Sequence, residues 1–389
     1  MKICDVQALV LDAGKDYSTW STTGECSGPR YYCLIKITTD EGITGWGDVE
    51  TQPHVGAAYV DHPSGDVVGF ASLKDALIGE DPLERERLWQ KMYRYQAYFG
   101  RQGAGMHMIS GVDLALWDIA GKAFGQPACK LLGAQYRNRV RAYASTLFRS
   151  TAAEMKTAVE GYLQQGFRAI KFGWGAFGTD LKKDLILVQA AREAAGPDVT
   201  LMVDAGWYGV RSEDPFRPRS IMDLRWLIKE LENYNIFWLE DCLHPENYRG
   251  YAELVRETSR LRIAAGEQYS GYYEFERLGN QGLVHVLQPD LSRCGGLTVG
   301  KQVADYAMRR QIECVPHAWL TGLLNAASLH LNAYLMHSVF LEYNVSASDL
   351  LTQLCPNQPS MTDGCVAVPQ GPGLGVEVDD SVVQHYRIL

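Results

Sequence analysis

The chain has 389 residues, 46% of them apolar and 21% charged, a balance that fits a globular protein and excludes a disordered one. Asp and Glu number 46 against 37 Lys and Arg, for a formal charge of −9; with no basic run or basic helix face, nucleic acid and anionic membranes are excluded as partners. Such a length buries a sizeable core without disulfides or a structural metal, and no apolar run reaches the roughly 18 residues of a membrane span.

The start, Met1-Lys2-Ile3-Cys4-Asp5-Val6, places an Asp inside what would be the apolar region of a signal peptide. The nine cysteines are scattered and form no CxxC pair, so reduced thiols in a cytoplasmic protein are expected. Tyr31–Ile37 reads as a strand, and Thr39–Gly47 as a turn with a second strand. Asp81-Pro82 predicts a helix start, with Leu88, Trp89, Met92 and Tyr93 on one face. Ile109, Val112, Leu116, Ile119 and Ala120 fall at helical spacing and stop before Gly125-Gln126-Pro127. Residues 1–132 therefore read as a small α+β unit.

From about Arg139 the chain alternates. Val140–Ser145 predicts a strand, and Thr151–Glu154 a capping box opening a helix that ends at Gly166. Further strands are predicted at Ala169–Phe172, Leu201–Asp204, Ile236–Glu240, Ile263–Glu267, Val284–Asp290, Ile312–His317 and Val339–Glu342, with helices between them. Repeated strand–helix–strand units make a parallel sheet, and about eight of them close naturally into a (β/α) barrel. A doubly wound open sheet is the alternative, but no glycine-rich phosphate loop follows the first strand.

Lys171, Asp204, Glu240, Glu267, Asp290, His317 and Glu342 each lie at or near the C-terminal end of a predicted strand, about 23 to 36 residues apart. In a parallel barrel these ends share one face, the face that holds barrel active sites. A single strand-end Asp is often only the cap of the next helix. Capping does not explain the series, because His and Lys cap poorly. Asp204, Glu240 and Glu267 are consecutive, and three close carboxylates repel one another unless a cation lies between them. Oxygen ligands suit a hard divalent ion, Mg²⁺, with positions left open for water and a substrate carboxylate. Salt bridges to strand-end basic residues are the alternative. Asp290 and His317 sit on successive strands, where the carboxylate can orient the imidazole as a base.

These residues resemble a known family. The stretches Val203-Asp204-Ala205-Gly206-Trp207, Trp238-Leu239-Glu240-Asp241-Cys242-Leu243, Ala265-Gly266-Glu267-Gln268, Gln288-Pro289-Asp290, Cys294-Gly295-Gly296-Leu297 and Val315-Pro316-His317, with Ser110–Asp118 before them, are similar to the mandelate racemase branch of the enolase superfamily. The resemblance implies a modified (β/α)7β barrel over 133–354, an α+β cap over 1–132, and a tail over 355–389 returning to the cap. It implies one Mg²⁺ per subunit on Asp204, Glu240 and Glu267, and a His317–Asp290 dyad beside the substrate α-carbon. It also implies a hydrogen bond from Glu342 to the substrate carboxylate, and a homo-oligomer.

Family racemases carry Lys-x-Lys on the second barrel strand, whereas this chain has Lys171-Phe172-Gly173. A racemase needs acid–base groups on both faces of the α-carbon, and Gly173 leaves one face empty. Lys171 then reads as a cation for the substrate carboxylate. One histidine suffices for β-elimination of water: His317 removes the α-proton and returns it to the departing hydroxyl. The Glu240-Asp241-Cys242-Leu243 stretch looks most like rhamnonate dehydratase-like members. That implies a dehydratase of an aldonate such as L-rhamnonate or L-lyxonate, giving a 2-keto-3-deoxy acid. Alternatives are a sugar-acid cycloisomerase or epimerase, with Lys171 supplying the acid, and a non-catalytic sugar-acid binder. Trp20, Arg30 and His54 lie in predicted capping loops as candidate contacts for substrate hydroxyls, and Trp174, Trp207 and Trp319 follow strand ends as candidate walls.

Overall fold

The computed structural model describes residues 1–14, 30–64, 69–178, 180–206, 219–337, 339–345 and 348–389. The N-terminal sheet is antiparallel, in the order β1 (Ile3–Asp12), β2 (Tyr31–Thr39), β3 (Thr44–Val49). Helices α1 (Pro53–Val60), α2 (Leu73–Leu77), α3 (Arg85–Tyr95), α4 (Ala104–Phe124) and α5 (Ala128–Leu132) follow. The first of the two predicted helices starts later than expected. Asp81 Oδ1 accepts from the Leu83 amide, making a turn, and α3 begins only at Arg85. Helix α4 is buried on nearly every side from Met108 to Gly121, because it lies between the sheet and the barrel. Asp113 and Trp117 on α4 both bond Thr298 of the barrel, at 2.6 and 3.0 Å.

The barrel strands are β4 (Arg139–Leu147), β5 (Ala169–Gly173), β6 (Thr200–Asp204), β7 (Ile236–Glu240), β8 (Arg262–Ala265), β9 (Val286–Leu287), β10 (Glu313–Cys314) and β11 (Leu341–Asn344). Between them run α6 (Ala152–Gln164), α7 (Leu181–Ala195), α8 (Ile221–Asn233), α9 (Tyr248–Val255), α10 (Tyr272–Asn280), α11 (Gly296–Arg310) and α12 (Gly322–Tyr334). The predicted capping box is formed: Thr151 accepts from the Glu154 amide, and Glu154 accepts from the Thr151 amide. Parallel ladders join the strands in the order β10-β9-β8-β7-β6-β5-β4-β11. Among the described residues no ladder links β10 to β11. The eight strands nonetheless surround one apolar cluster of Tyr143, Ala169, Met202, Trp238, Ala264, Val286, Val315 and Phe340, one residue from each strand or its flank.

After β11 come α13 (Asp349–Gln353), a hairpin of β12 (Met361–Thr362) and β13 (Cys365–Ala367), and α14 (Asp380–Tyr386). Strand β13 pairs antiparallel with the start of β4, and Arg387 bridges to Leu11 of β1. No helix among the described residues is long and apolar enough to cross a membrane.

Candidate active site

Side chains two residues apart on a strand point the same way. Two residues beyond each member of the apolar cluster stand Ser145, Lys171, Asp204, Glu240, Gly266, Gln288, His317 and Glu342. A polar layer is thus stacked on the apolar one, toward the C-terminal ends of the strands. Strands β8 to β10 are shorter than the sequence predicts, so Glu267, Asp290 and His317 lie just past them. The sheet continues there through an isolated parallel bridge between Asp290 and His317. At Gly266 a Cβ would sit 2.5 Å from the Gln288 amide nitrogen, so this strand has no room for an inward side chain. The next residue, Glu267, supplies the carboxylate instead.

One oxygen each of Asp204, Glu240 and Glu267 lie within 4.8 Å of one another, and all three residues are buried. Lys171 Nζ donates to Glu240 Oε1 at 2.7 Å and lies 2.9 Å from Glu342 Oε1 and 3.8 Å from Asp204 Oδ2. The Gly206 amide donates to Asp204 Oδ1 at 2.7 Å, and Trp238 Nε1 to Glu240 Oε2 at 3.0 Å. His317 Nδ1 is 2.5 Å from Asp290 Oδ2, while the Ser292 amide and hydroxyl hold Asp290 Oδ1. That arrangement fixes the proton of a neutral His317 on Nδ1 and leaves Nε2 as the basic atom. Nε2 lies 3.0 Å from Glu267 Oε2 and 3.8 Å from Glu342 Oε2. Glu342 accepts from Ser145 Oγ and the Ala318 amide, each at 2.7 Å.

Burial raises the Asp204 carboxyl well above the usual range, and Glu240 beside it adds to the shift; Glu240 is raised mainly by its own burial. Burial disfavours charge on Lys171, but Glu240 and Glu342 outweigh it and hold the ammonium protonated well above the ordinary lysine value. Burial also opposes charge on Glu342, yet Lys171 and His317 bring its carboxyl down to about 2. His317 is raised well above the ordinary histidine value, because Glu267 and Glu342 outweigh its burial. Buried Asp204, Glu240, Asp241, Glu267, Asp290 and Glu342 thus crowd around Lys171, Arg293 and His317. This excess of negative charge, in an oxygen-only donor set, fits a hard divalent cation. A second convergence, Glu50 with Asp290 and His317, is less suited to one, because His317 Nδ1 is already bonded to Asp290.

The family model described as "Enolase C-terminal domain-like" matches residues 154–382, and that for the N-terminal domain of mandelate racemase and muconate lactonizing enzyme matches residues 19–133. The chain belongs to the enolase superfamily, in its mandelate racemase branch. It is 30% identical to D-galactarolactone cycloisomerase of Agrobacterium fabrum, covering 100% of this chain and 99% of the relative. It is 33% identical to D-galactonate dehydratase of Pectobacterium atrosepticum, covering 91% of each. A crystal structure of a racemase from Streptomyces coelicolor with bound magnesium superimposes with a TM-score of 0.84 at 27% identity, covering 99% of this chain and 100% of that one.

In this superfamily member the structure brings together Lys171, Asp204, Glu240, Glu267, Asp290, His317 and Glu342. Arg30 makes a two-pronged pair with Asp12 on β1, both contacts at 2.9 Å, and exposed His54 packs edge-on against Tyr31. Trp319, half-buried, follows His317 by two residues, and Trp174 caps the end of β5 with a positive φ of 50°. Trp20 and Trp207 lie outside the described residues. Sequence reasoning missed Asp241, Arg293, Glu50 and Ser145. Arg293 could have been found as the cation three residues after Asp290. A cavity of about 510 Å³ between α3, α10 and α11, lined by Trp89, Tyr93 and Tyr272, contains none of these groups.

Proposed function

We propose that the protein is a Mg²⁺-dependent dehydratase of a sugar acid, an aldonate, acting by α-proton abstraction and β-elimination of water. The supporting observation is one histidine–aspartate dyad beside the carboxylate trio, with no side chain at Gly173 to act as a second base and Asp204 pressed close against that position. A Cβ there would lie 2.8 Å from Asp204 Oδ2. Asp204, Glu240 and Glu267 would hold the ion. When bound, Mg²⁺ supplies positive charge for the substrate carboxylate as negative charge grows on it. Residues 133–354 form the catalytic barrel on this reading, 1–132 the cap over its mouth, and 355–389 the tail that ties the two.

Lys171 supplies a second, permanent cation from the barrel interior. His317 Nε2 takes the proton from C2, and the C–H electron pair moves toward the carboxyl group. Asp290 and Ser292 keep the imidazole aimed and stabilise the imidazolium. The C3–O bond then breaks, the imidazolium proton goes to the leaving hydroxyl as water, and the enol product becomes a 2-keto-3-deoxy acid. Glu342 is ionised while Lys171 pairs with it, so it accepts hydrogen bonds in that state. Its donation to a substrate oxygen requires Lys171 to turn to the substrate and Glu342 to take up a proton.

A cycloisomerase is the second reading, favoured by the full-length similarity to the galactarolactone enzyme. Lys171 is a poor acid for that step, because its carboxylate neighbours hold its proton. A mass-spectrometric screen of aldonates and aldarates with Mg²⁺ in deuterated water tests the proposal. The expected product has lost one water. A product of unchanged substrate composition supports the cycloisomerase, and inactivity across the whole set supports a sugar-acid binder.

A further inference from the structure

Glu50 follows β3 of the cap and reaches over the dyad. One of its carboxylate oxygens lies within 4.8 Å of ligand atoms of both Asp290 and His317. Its Oε1 pairs with Arg293 Nη2. The other nitrogen of that guanidinium, Nη1, donates to the Glu267 carbonyl at 3.1 Å and lies 3.5 Å from Glu267 Oε1. Arg293 therefore ties a cap carboxylate to a carboxylate of the barrel trio. Glu50 Oε2 is sealed from solvent and has no hydrogen-bond partner among the described residues. A carboxylate paired with a guanidinium through one oxygen can only accept at the other, so this orphan atom calls for a donor.

Buried acceptors without donors are costly, and native structures rarely keep them unless something completes them. A second cation is disfavoured, because Arg293 already sits on the other oxygen of Glu50. A hydroxyl supplies a donor without charge. The carboxylate end of a sugar acid faces Lys171 and Glu342 in the barrel, so its hydroxylated end points toward the cap, where Glu50 stands.

We propose that Glu50 is a substrate-contacting residue whose Oε2 accepts a hydrogen bond from a hydroxyl on the sugar-acid chain beyond the reacting carbons, with Arg293 as its positioning residue. This rests on the sugar-acid reading above. A site built to bond a hydroxyl rejects the analogue that lacks it, because its own polar group is then left unpaired.

The test crosses enzyme variants with substrate analogues. Mg²⁺-loaded wild type, Glu50→Ala and Glu50→Gln are assayed with a turned-over sugar acid and its singly deoxygenated analogues. In wild type, one deoxygenation beyond the reacting carbons lowers kcat/KM by about tenfold or more. In Glu50→Ala the parent acid falls by a similar factor, and that deoxygenation then costs less than about twofold. Should Glu50→Ala fail to fold by circular dichroism, Glu50→Gln carries the test, with the penalty for the same deoxygenation reduced. Equal deoxygenation penalties in variant and wild type at every position would overturn the proposal. Wild type inactive on all sugar acids sinks the reaction assignment instead. The contact is then judged by calorimetric titration of the same acids into the Mg²⁺-loaded proteins: weaker binding to Glu50→Ala supports it, while equal affinity, or no binding by either, overturns it.

Discussion

The floor and the mouth of the barrel are built from the same strands, two residues apart, yet their chemistry is opposite. Ala169 precedes Lys171, Met202 precedes Asp204, Trp238 precedes Glu240, Val315 precedes His317 and Phe340 precedes Glu342. The floor side chains are sealed from water and pack edge to face, as Tyr143 does with Trp238 at 5.6 Å and 83°. The mouth holds buried carboxylates whose mutual repulsion is only partly offset by Lys171 and Arg293. A barrel can thus place its stability and its chemistry in adjacent layers of one interior. Among the described residues the layers are joined by the hydrogen bond from Trp238 Nε1 to Glu240 Oε2, through which the floor aims a mouth carboxylate.

That division is open to attack from either side. His317→Asn alters the mouth alone. It removes the base while keeping a polar side chain of similar reach, so kcat should fall by roughly a thousandfold. Mg²⁺ affinity by calorimetry and the thermal midpoint should stay near those of wild type. Normal turnover would refute the assigned base. Met202→Ala alters the floor alone. It leaves a hole beneath Asp204 and should cost roughly 3 kcal/mol in urea unfolding, with kcat of the folded fraction near that of wild type. A large fall in kcat at full occupancy would show that the two layers are not separable.

The strand–helix repeat was legible because parallel strands buried on both faces leave compact apolar runs between helical patterns. Lys171, Asp204, Glu240 and Glu342 were legible because they end or follow those runs at the inward register. Asp290 and His317 were found although β9 and β10 stop short of them: the chain past those strands stays extended enough to hold direction, as the Asp290–His317 bridge shows. Glu267 was found although it stands one residue beyond the inward position, which Gly266 occupies. The cap contacts were not legible. A loop residue has no period to fix its direction, so the sequence does not separate a substrate contact at Arg30 from the pairing with Asp12 that the structure shows. Glu50 and Arg293 escaped for a related reason. Each gains its meaning from the other across the cap–barrel seam, and no spacing in the chain links a residue after β3 to one after β9.

Gly173 sharpens the comparison at its finest point, because it belongs to neither layer and yet borders the mouth. It pairs in register with Asp204, and an added Cβ would meet Asp204 Oδ2 at 2.8 Å and Asp204 Cβ at 3.0 Å. Backbone is not the obstacle, so the strand can survive the substitution; it is the carboxylate that must move. Gly173→Ala should therefore leave the unfolding midpoint close to wild type and weaken Mg²⁺ binding by about tenfold, within the range seen when a group supporting a metal ligand is changed. Calorimetric titration of the ion against a parallel urea melt separates the two effects. Loss of stability with unchanged affinity would mean that the glycine serves the strand and not the carboxylate. The absence of a second base would then lose its steric explanation.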